Sequence, residues 1–231
     1  MHATQLPHSE AKRRLLDAAE QLFAERGFEG VSVRDITQLA ATNVAAINYH
    51  FGTRDGLVAL VVAGYLALVN DERLARLDAM EGKGPGKALP VEAILEAWIR
   101  PLVGTARKSG LAERLGCRLL GRIMALQGAG LPAAMEEALQ RIGERFARAY
   151  GKALPTVTAD ELAWRLHFMA GALSHLLIHQ DLPQRVPHGA APAPTLDATL
   201  GRFIRFAAAG LREGVALDPG ERKGPQATFD F

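Results

Sequence analysis

The chain of 231 residues holds one cysteine, Cys117. This allows no internal disulfide and no thiolate-built zinc site, and it fits a reducing compartment. Long hydrophobic runs are missing too: no stretch approaches the roughly 18 uninterrupted apolar residues of a membrane-spanning helix. The amino terminus, MHATQLPHSEAKRR, has no apolar run of a secretory signal. A cytoplasmic protein with no membrane partner is therefore expected. Nor does charge of one sign dominate, since 27 Lys+Arg face 25 Asp+Glu for a formal net charge of +2. Residues 1–56 carry six basic and seven acidic groups, so any nucleic-acid contact must rest on a few placed side chains rather than a basic field. Strand-like alternation is nearly absent. A Gly-x-Ser-x-Gly elbow, a dinucleotide glycine motif and a closely spaced acid pair are absent as well. No catalytic residue, no metal and no cofactor are expected, and an enzyme is disfavoured. The glycine-rich stretch 81–87 is a linker by composition. A phosphate loop would need glycine and Ser/Thr where Glu81 and Ala88 stand.

What the chain does have is apolar residues, 48% of the total, recurring at helical spacing almost throughout, which predicts an all-α fold. The first helix is expected over 9–26, with Leu15, Ala18, Ala19, Leu22 and Phe23 on one buried face, Ser9 as N-cap and Gly27 as the stop. Ser32 and Asp35, three apart, form a capping-box pair that starts a short second helix running to about Ala40. After Ala41-Thr42, Asn43 caps a third helix over 44–51. A long helix follows over 54–80, with Leu57, Leu60, Val61, Gly64, Leu68 and Val69 along one side. Further helices are expected over 91–108 with a kink at Pro101, and over 112–127, 133–154, 159–181 and 196–212. The proline-rich stretch 182–194 reads as a loop. Residues 1–8 and 213–231 read as flexible ends. The linear organisation is thus a helix-turn-helix domain at 9–53 and a larger helical domain at 54–212.

Three helices in the first 51 residues, the last two joined by a tight turn, are the arrangement of a helix-turn-helix DNA-binding unit. Ile36, Leu39, Ile47 and Phe51 are expected to supply its small core. Val44, Ala45, Asn48, Tyr49 and His50 would then form the face that reaches base edges.

The string GFEGVSVRDITQLAATNVAAINYHFGTRDGL (27–57), with AAEQLFAERGF before it, resembles the signature of the tetracycline-repressor family of bacterial one-component regulators. That resemblance implies an all-α homodimer with an N-terminal helix-turn-helix domain and a larger C-terminal domain for ligand binding and dimerisation. It implies a repressor bound to a palindromic operator in double-stranded DNA and released by a small effector. By position, Arg34 matches the family's base-reading or phosphate-contacting arginine, and Tyr49 and His50 match residues that touch DNA. Asn43 matches the capping residue, and Arg54 the basic residue that opens the fourth helix and contacts a phosphate. The chain departs from the family pattern twice. Ala41-Thr42 replaces the usual Gly-Val of the turn, so either the turn geometry differs or an alanine in a left-handed position is accepted at a cost of roughly 1 kcal/mol. Asn48 replaces the usual tyrosine, which implies a changed operator preference.

NVAAINYHFG, CRLLGRIMAL and ELAWRLHFMAGAL are similar to segments of fatty-acid-responsive members, which implies a small hydrophobic, acyl-like effector. Arg118 and Arg122, four apart on one helix face, are candidates for its carboxylate, with pairing to Glu or plain solvation as the alternative. Trp98, Met124, His167 and Phe168 are candidate pocket residues, with ordinary core packing as the alternative. His175 and His179 have the spacing of two metal ligands but read as residues at a subunit interface. A buried, inert thiol is expected at Cys117, with a redox-sensing thiol beside the Arg118 guanidinium as the alternative. The alternative reading of the whole chain is a helical small-molecule or lipid-binding module whose DNA-binding head has decayed.

Overall fold

The computed structural model describes residues 5–82, 86–126, 133–180 and 195–213. Among them the chain forms helices and no strand: α1 (Gln5–Arg26), α2 (Val33–Leu39), α3 (Val44–Phe51), α4 (Arg54–Glu81), α5 (Val91–Lys108), α6 (Glu113–Ala125), α7 (Ala133–Ala153), α8 (Ala159–Ile178) and α9 (Leu196–Glu213). No single described helix is long and apolar enough to cross a membrane. The expected loop 182–194, residues 83–85 of the expected linker, and nearly all of the expected tail lie outside the described residues, as do residues 1–4.

Two boundaries differ from expectation by three residues or more. α1 begins at Gln5, so Ser9 lies inside the helix rather than capping it; Pro7 is tolerated because the first turn has no intrahelical N–H acceptor to lose. α8 ends at Ile178, where His179 leaves the helical region with φ −117° and ψ 53°, three residues before the expected end.

The chain divides into two compact units that interleave along the sequence. One comprises Met1–Val69 and Leu102–Glu136, the other Asn70–Pro101 and Glu137–Phe231. They do not coincide with a linear division after residue 53, because α6 packs on α1. The approach is close. A Cβ on Gly27, where α1 ends, would lie 2.6 Å from Arg122 Nη1 of α6, and on another side of α6 a Cβ on Gly116 would lie 2.9 Å from the Ala106 carbonyl of α5.

In the first unit Leu15, Ala19, Phe23, Ile36, Ile47 and Leu57 are fully buried. Leu39 is a correction: it is exposed on α2, and Phe28 and Val31 from the α1–α2 loop bury in this unit. Along α4 the ridge Leu57, Val61, Tyr65 and Val69 turns inward, whereas Leu60, Gly64 and Leu68 are exposed. The expected face merged two neighbouring i, i+4 ridges, of which this unit covers one. Tyr65 donates its hydroxyl to Glu20 Oε2 at 2.7 Å, and burial holds the Glu20 pKa above the ordinary carboxylate value.

In the second unit Leu77, Ile94, Leu95, Ile99, Tyr150, Leu173, Leu177, Leu200 and Leu211 are buried. Arg145 on α7 bridges Asp78 at 2.7 Å and Glu81 on α4. Arg100 on α5 reaches Asp197 on α9 at 2.9 Å. Arg165 on α8 donates to the Leu211 carbonyl at 2.7 Å, a cation placed against the unpaired carbonyls that end α9.

Candidate nucleic-acid interface

The second and third helices are held by short-range hydrogen bonds that the sequence spells out. Ser32 Oγ accepts from the Asp35 N–H at 3.2 Å while the Asp35 carboxylate accepts from the Ser32 N–H at 2.8 Å, which completes the capping box. These Ser32 hydrogen bonds hold the Asp35 pKa below its ordinary value. Thr37 is buried and satisfies its hydroxyl on the Val33 and Arg34 carbonyls at 3.0 and 3.1 Å. The turn closes through Ala40 N–H to the Ile36 carbonyl at 2.9 Å and Thr42 N–H to the Thr37 carbonyl at 2.9 Å. Within it Ala41 has φ +50°, the positive φ of a non-glycine residue among the described ones. The turn keeps its left-handed geometry and accepts the cost of a Cβ there. Asn43 Oδ1 then accepts from Ala46 N–H at 3.0 Å and starts α3.

α3 is two-faced. Ile47 is wholly buried, while Val44, Ala45, Asn48 and Tyr49 are exposed, Tyr49 at 74%. His50 is half-buried, with its ring against Tyr49 edge-on at 5.0 Å. Arg34 on α2 is exposed. Gly52 ends α3 with φ +73°, a conformation suited to glycine. Arg54 turns inward instead. Its Nε donates to the Val31 carbonyl at 2.9 Å, Nη2 to the Phe28 carbonyl, and Nη1 to Asp55 at 3.3 Å. Three of its donors are spent on the protein, so the side chain holds the α1–α2 loop against the start of α4.

The six residues expected to meet an effector are divided between the units. Arg118, Arg122 and Met124 stand half-buried on α6. Arg122 Nη2 donates to the Glu25 carbonyl at 3.3 Å, which places a cation at the C-terminal end of α1. Burial first, and the charge of Arg118 second, lower the Arg122 pKa. In the second unit Trp98 packs edge-on against Phe146, centroids 4.8 Å apart. His167 and Phe168 are exposed on α8. Phe168 forms one wall of an open groove of about 450 Å³ between α8 and α9, together with Met169, Phe203 and Phe206. His175 and His179 pair at 4.7 Å between ring centroids and are exposed; among the described residues no third ligand-type side chain joins them. Cys117 is buried, and burial pushes its thiol up to about 12.

Periodicity gave no sign of Arg73. It lies in the charged run DERLAR of α4 and is 4% exposed.

Residues 15–61 match the family model of bacterial regulatory proteins of the tetR family, and residues 96–210 match that of the tetracycline repressor-like C-terminal domain. The chain is 39% identical over 54 residues to the probable HTH-type transcriptional regulator YttP of Bacillus subtilis, covering 23% of this chain and 26% of the relative. It is 38% identical over 52 residues to the HTH-type transcriptional repressor KstR2 of Rhodococcus jostii, covering 22% and 26%. These matches span about a quarter of the length of either relative. The fold is similar to the crystal structure of the TetR-family transcriptional regulator PfmR from Thermus thermophilus, with a TM-score of 0.51 at 16% identity over 86% of this chain and 94% of that one. Two family models that meet the chain at its head and along its C-terminal half, on an all-helical fold whose α2–turn–α3 has both caps in place, lead to one assignment: the chain belongs to the tetracycline-repressor family of helix-turn-helix transcriptional regulators.

Proposed function

We propose that this protein is a homodimeric repressor that reads a palindromic operator with α3 and leaves it when a small, largely apolar effector binds the second unit. The observation that carries this reading is the asymmetry of α3: Ile47 is anchored in the core while Val44, Ala45, Asn48 and Tyr49 stand exposed together. In a major groove Asn48 has the two-pronged amide that matches adenine N6 and N7, and Val44 and Ala45 suit a thymine methyl. Arg34 can fork onto a guanine or hold a phosphate, and Tyr49 and His50 set register on the backbone. Asn43 and Arg54 act behind this face, as the cap of α3 and the tie of the α1–α2 loop.

Two copies are needed because one recognition helix spans only a few base pairs, and a palindrome is read by two heads about 34 to 36 Å apart or somewhat more. Support for the dimer comes from α8 and α9, where Trp164, Phe168 and Phe206 are 60%, 62% and 72% exposed. Large aromatics so exposed are the mark of a surface that a partner covers. A second copy would fill the α8–α9 groove with the same side chains. Support for an apolar effector is the aromatic packing of Trp98 on Phe146 inside the second unit. α4 is continuous from the DNA-reading unit into the second unit along the chain, so it is the natural carrier of a shift between two conformations that a ligand selects.

Selection of duplexes from a random pool by the purified chain, at two salt concentrations, tests the reading. Recovery of a palindrome that survives the higher salt supports it. Binding that is wholly sequence-independent and vanishes with salt would sink it and leave the decayed-head binding module in its place.

A further inference from the structure

Arg73 is a buried cation with no counter-ion among the described residues. Its Nε donates to the Trp98 carbonyl at 2.9 Å and its Nη1 to Asn70 Oδ1 at 3.1 Å. The guanidinium carbon lies 3.7 Å above the centre of the Trp98 ring, a cation–π contact that offsets part of the desolvation. No carboxylate pairs with it among the described residues, and its Nη2 is buried with no partner. Two more orphaned donors belong to the same cluster. Trp98 Nε1 is buried without a partner, and so is the hydroxyl of Tyr150, a residue 1% exposed. Phe146, the ring packed on Trp98, is four residues before Tyr150, so both stand on one face of α7. The charge of Arg73 reaches the Tyr150 hydroxyl and lowers its pKa against the larger upward effect of burial.

Native interiors rarely leave one such group unmet, and each calls for a physical account. Here all three can donate, one carries a full positive charge, and no carboxylate among the described residues pairs with them, the adjacent Asp71 and Glu72 included. A neutral carbonyl could accept hydrogen bonds but would leave the charge; a phosphate dianion would bring one negative charge too many. A carboxylate matches in charge, and its two oxygens offer about four acceptor sites.

We infer that Arg73, Tyr150 and Trp98 form an anion site in the second unit that takes the single carboxylate of a small-molecule ligand. This rests on the proposal that the second unit binds an effector, and it names the chemistry of the effector's head. It also moves that head away from Arg118 and Arg122, whose side chains are only half-buried even though the Nε of each is buried without a partner; Arg73 is the fully buried cation.

The test uses the purified full chain with benzoate and octanoate as probes, benzyl alcohol and octanol as their neutral counterparts, and inorganic phosphate as a dianion. Binding is read by thermal shift and by tryptophan fluorescence. One or both carboxylates should raise the Tm and change the fluorescence, while the alcohols and phosphate should not. Tyr150→Phe, which removes only the hydroxyl, should weaken carboxylate binding about tenfold. Arg73→Met should abolish it, yet melt no lower than the parent without ligand, because a buried unpaired charge has been replaced by an apolar chain of similar length. The site is overturned if no carboxylate shifts the Tm, if the alcohols or phosphate bind as well, or if Tyr150→Phe and Arg73→Met keep the parent affinity. Operator binding by the same preparation without ligand separates the two ideas. A bound palindrome with no carboxylate response defeats the anion site alone, whereas failure to select any duplex defeats the repressor reading whatever the carboxylates do.

Discussion

Arg54 Nε and the Val31 carbonyl meet at 2.9 Å across 23 residues of sequence, joining the first turn of α4 to the loop that precedes α2. The side chain also donates to the Phe28 carbonyl, so one guanidinium spans both ends of that loop. Arg54→Met should cost about 1–3 kcal/mol in urea unfolding, since two partly buried carbonyls lose a charged donor. Operator affinity should fall with it while the salt slope stays unchanged, because no phosphate contact is removed. A slope reduced by about one would show instead that Arg54 neutralises a phosphate.

Ala41 holds φ +50° between α2 and α3. Ala41→Gly should therefore stabilise the protein by up to about 1 kcal/mol, as relief of the left-handed strain outweighs the greater freedom of glycine in the unfolded chain. Chemical denaturation measures it, and a variant less stable than the parent would mean that the turn tolerates its Cβ without strain.

Ser32 and Asp35 make the head of α2 sensitive to acid. The Asp35 pKa is depressed in the folded state by the Ser32 hydrogen bonds and, further down, by Arg26. Its contribution is therefore fully present above its ordinary value of 3.8 and is lost as pH falls through the folded value. Asp35→Asn should be less stable than the parent at pH 7, with the gap closing below about pH 4. Parallel denaturation curves at pH 7 and pH 3.5 check the sign.

Trp164 and Phe168 stand one turn apart on α8, their ring centroids separated by 5.8 Å and both exposed. Phe168→Glu should convert a dimer to a monomer in analytical ultracentrifugation, since it sets a charge into an apolar contact. The operator half-site should then be bound far more weakly than the palindrome is by the parent. An unchanged sedimentation coefficient would place the dimer surface elsewhere.

Short-range features were legible because their physics is short-range. The capping box of Ser32 and Asp35, the Asn43 cap, the stop at Gly27 and the buried stripe of α1 depend on spacings of three and four residues. They stand in the fold as the spacing predicts. The left-handed turn was suggested only by the family resemblance, which left open whether its geometry survives an alanine, and Ala41 at φ +50° answers that in the fold. Leu60 and Leu68 were misjudged because apolar spacing marks a stripe without saying which part of it another helix will cover. Arg54 reads in the sequence as a phosphate contact and Arg122 as a partner for a carboxylate, because their acceptors in the fold are backbone carbonyls 23 and 97 residues away.

The amino-acid sequence alone therefore determined the all-helical character, the helix-turn-helix at the head and the family, because all three are written in local periodicity, caps and a contiguous motif. Tertiary structure decided that α6 belongs with the unit that holds the helix-turn-helix, that Arg54 is a tie, and that Arg73 is buried against the Trp98 ring with no counter-charge among the described residues. Burial and partner choice are set by residues far apart in sequence, and a charged side chain carries no mark in its neighbours of whether water or protein will surround it.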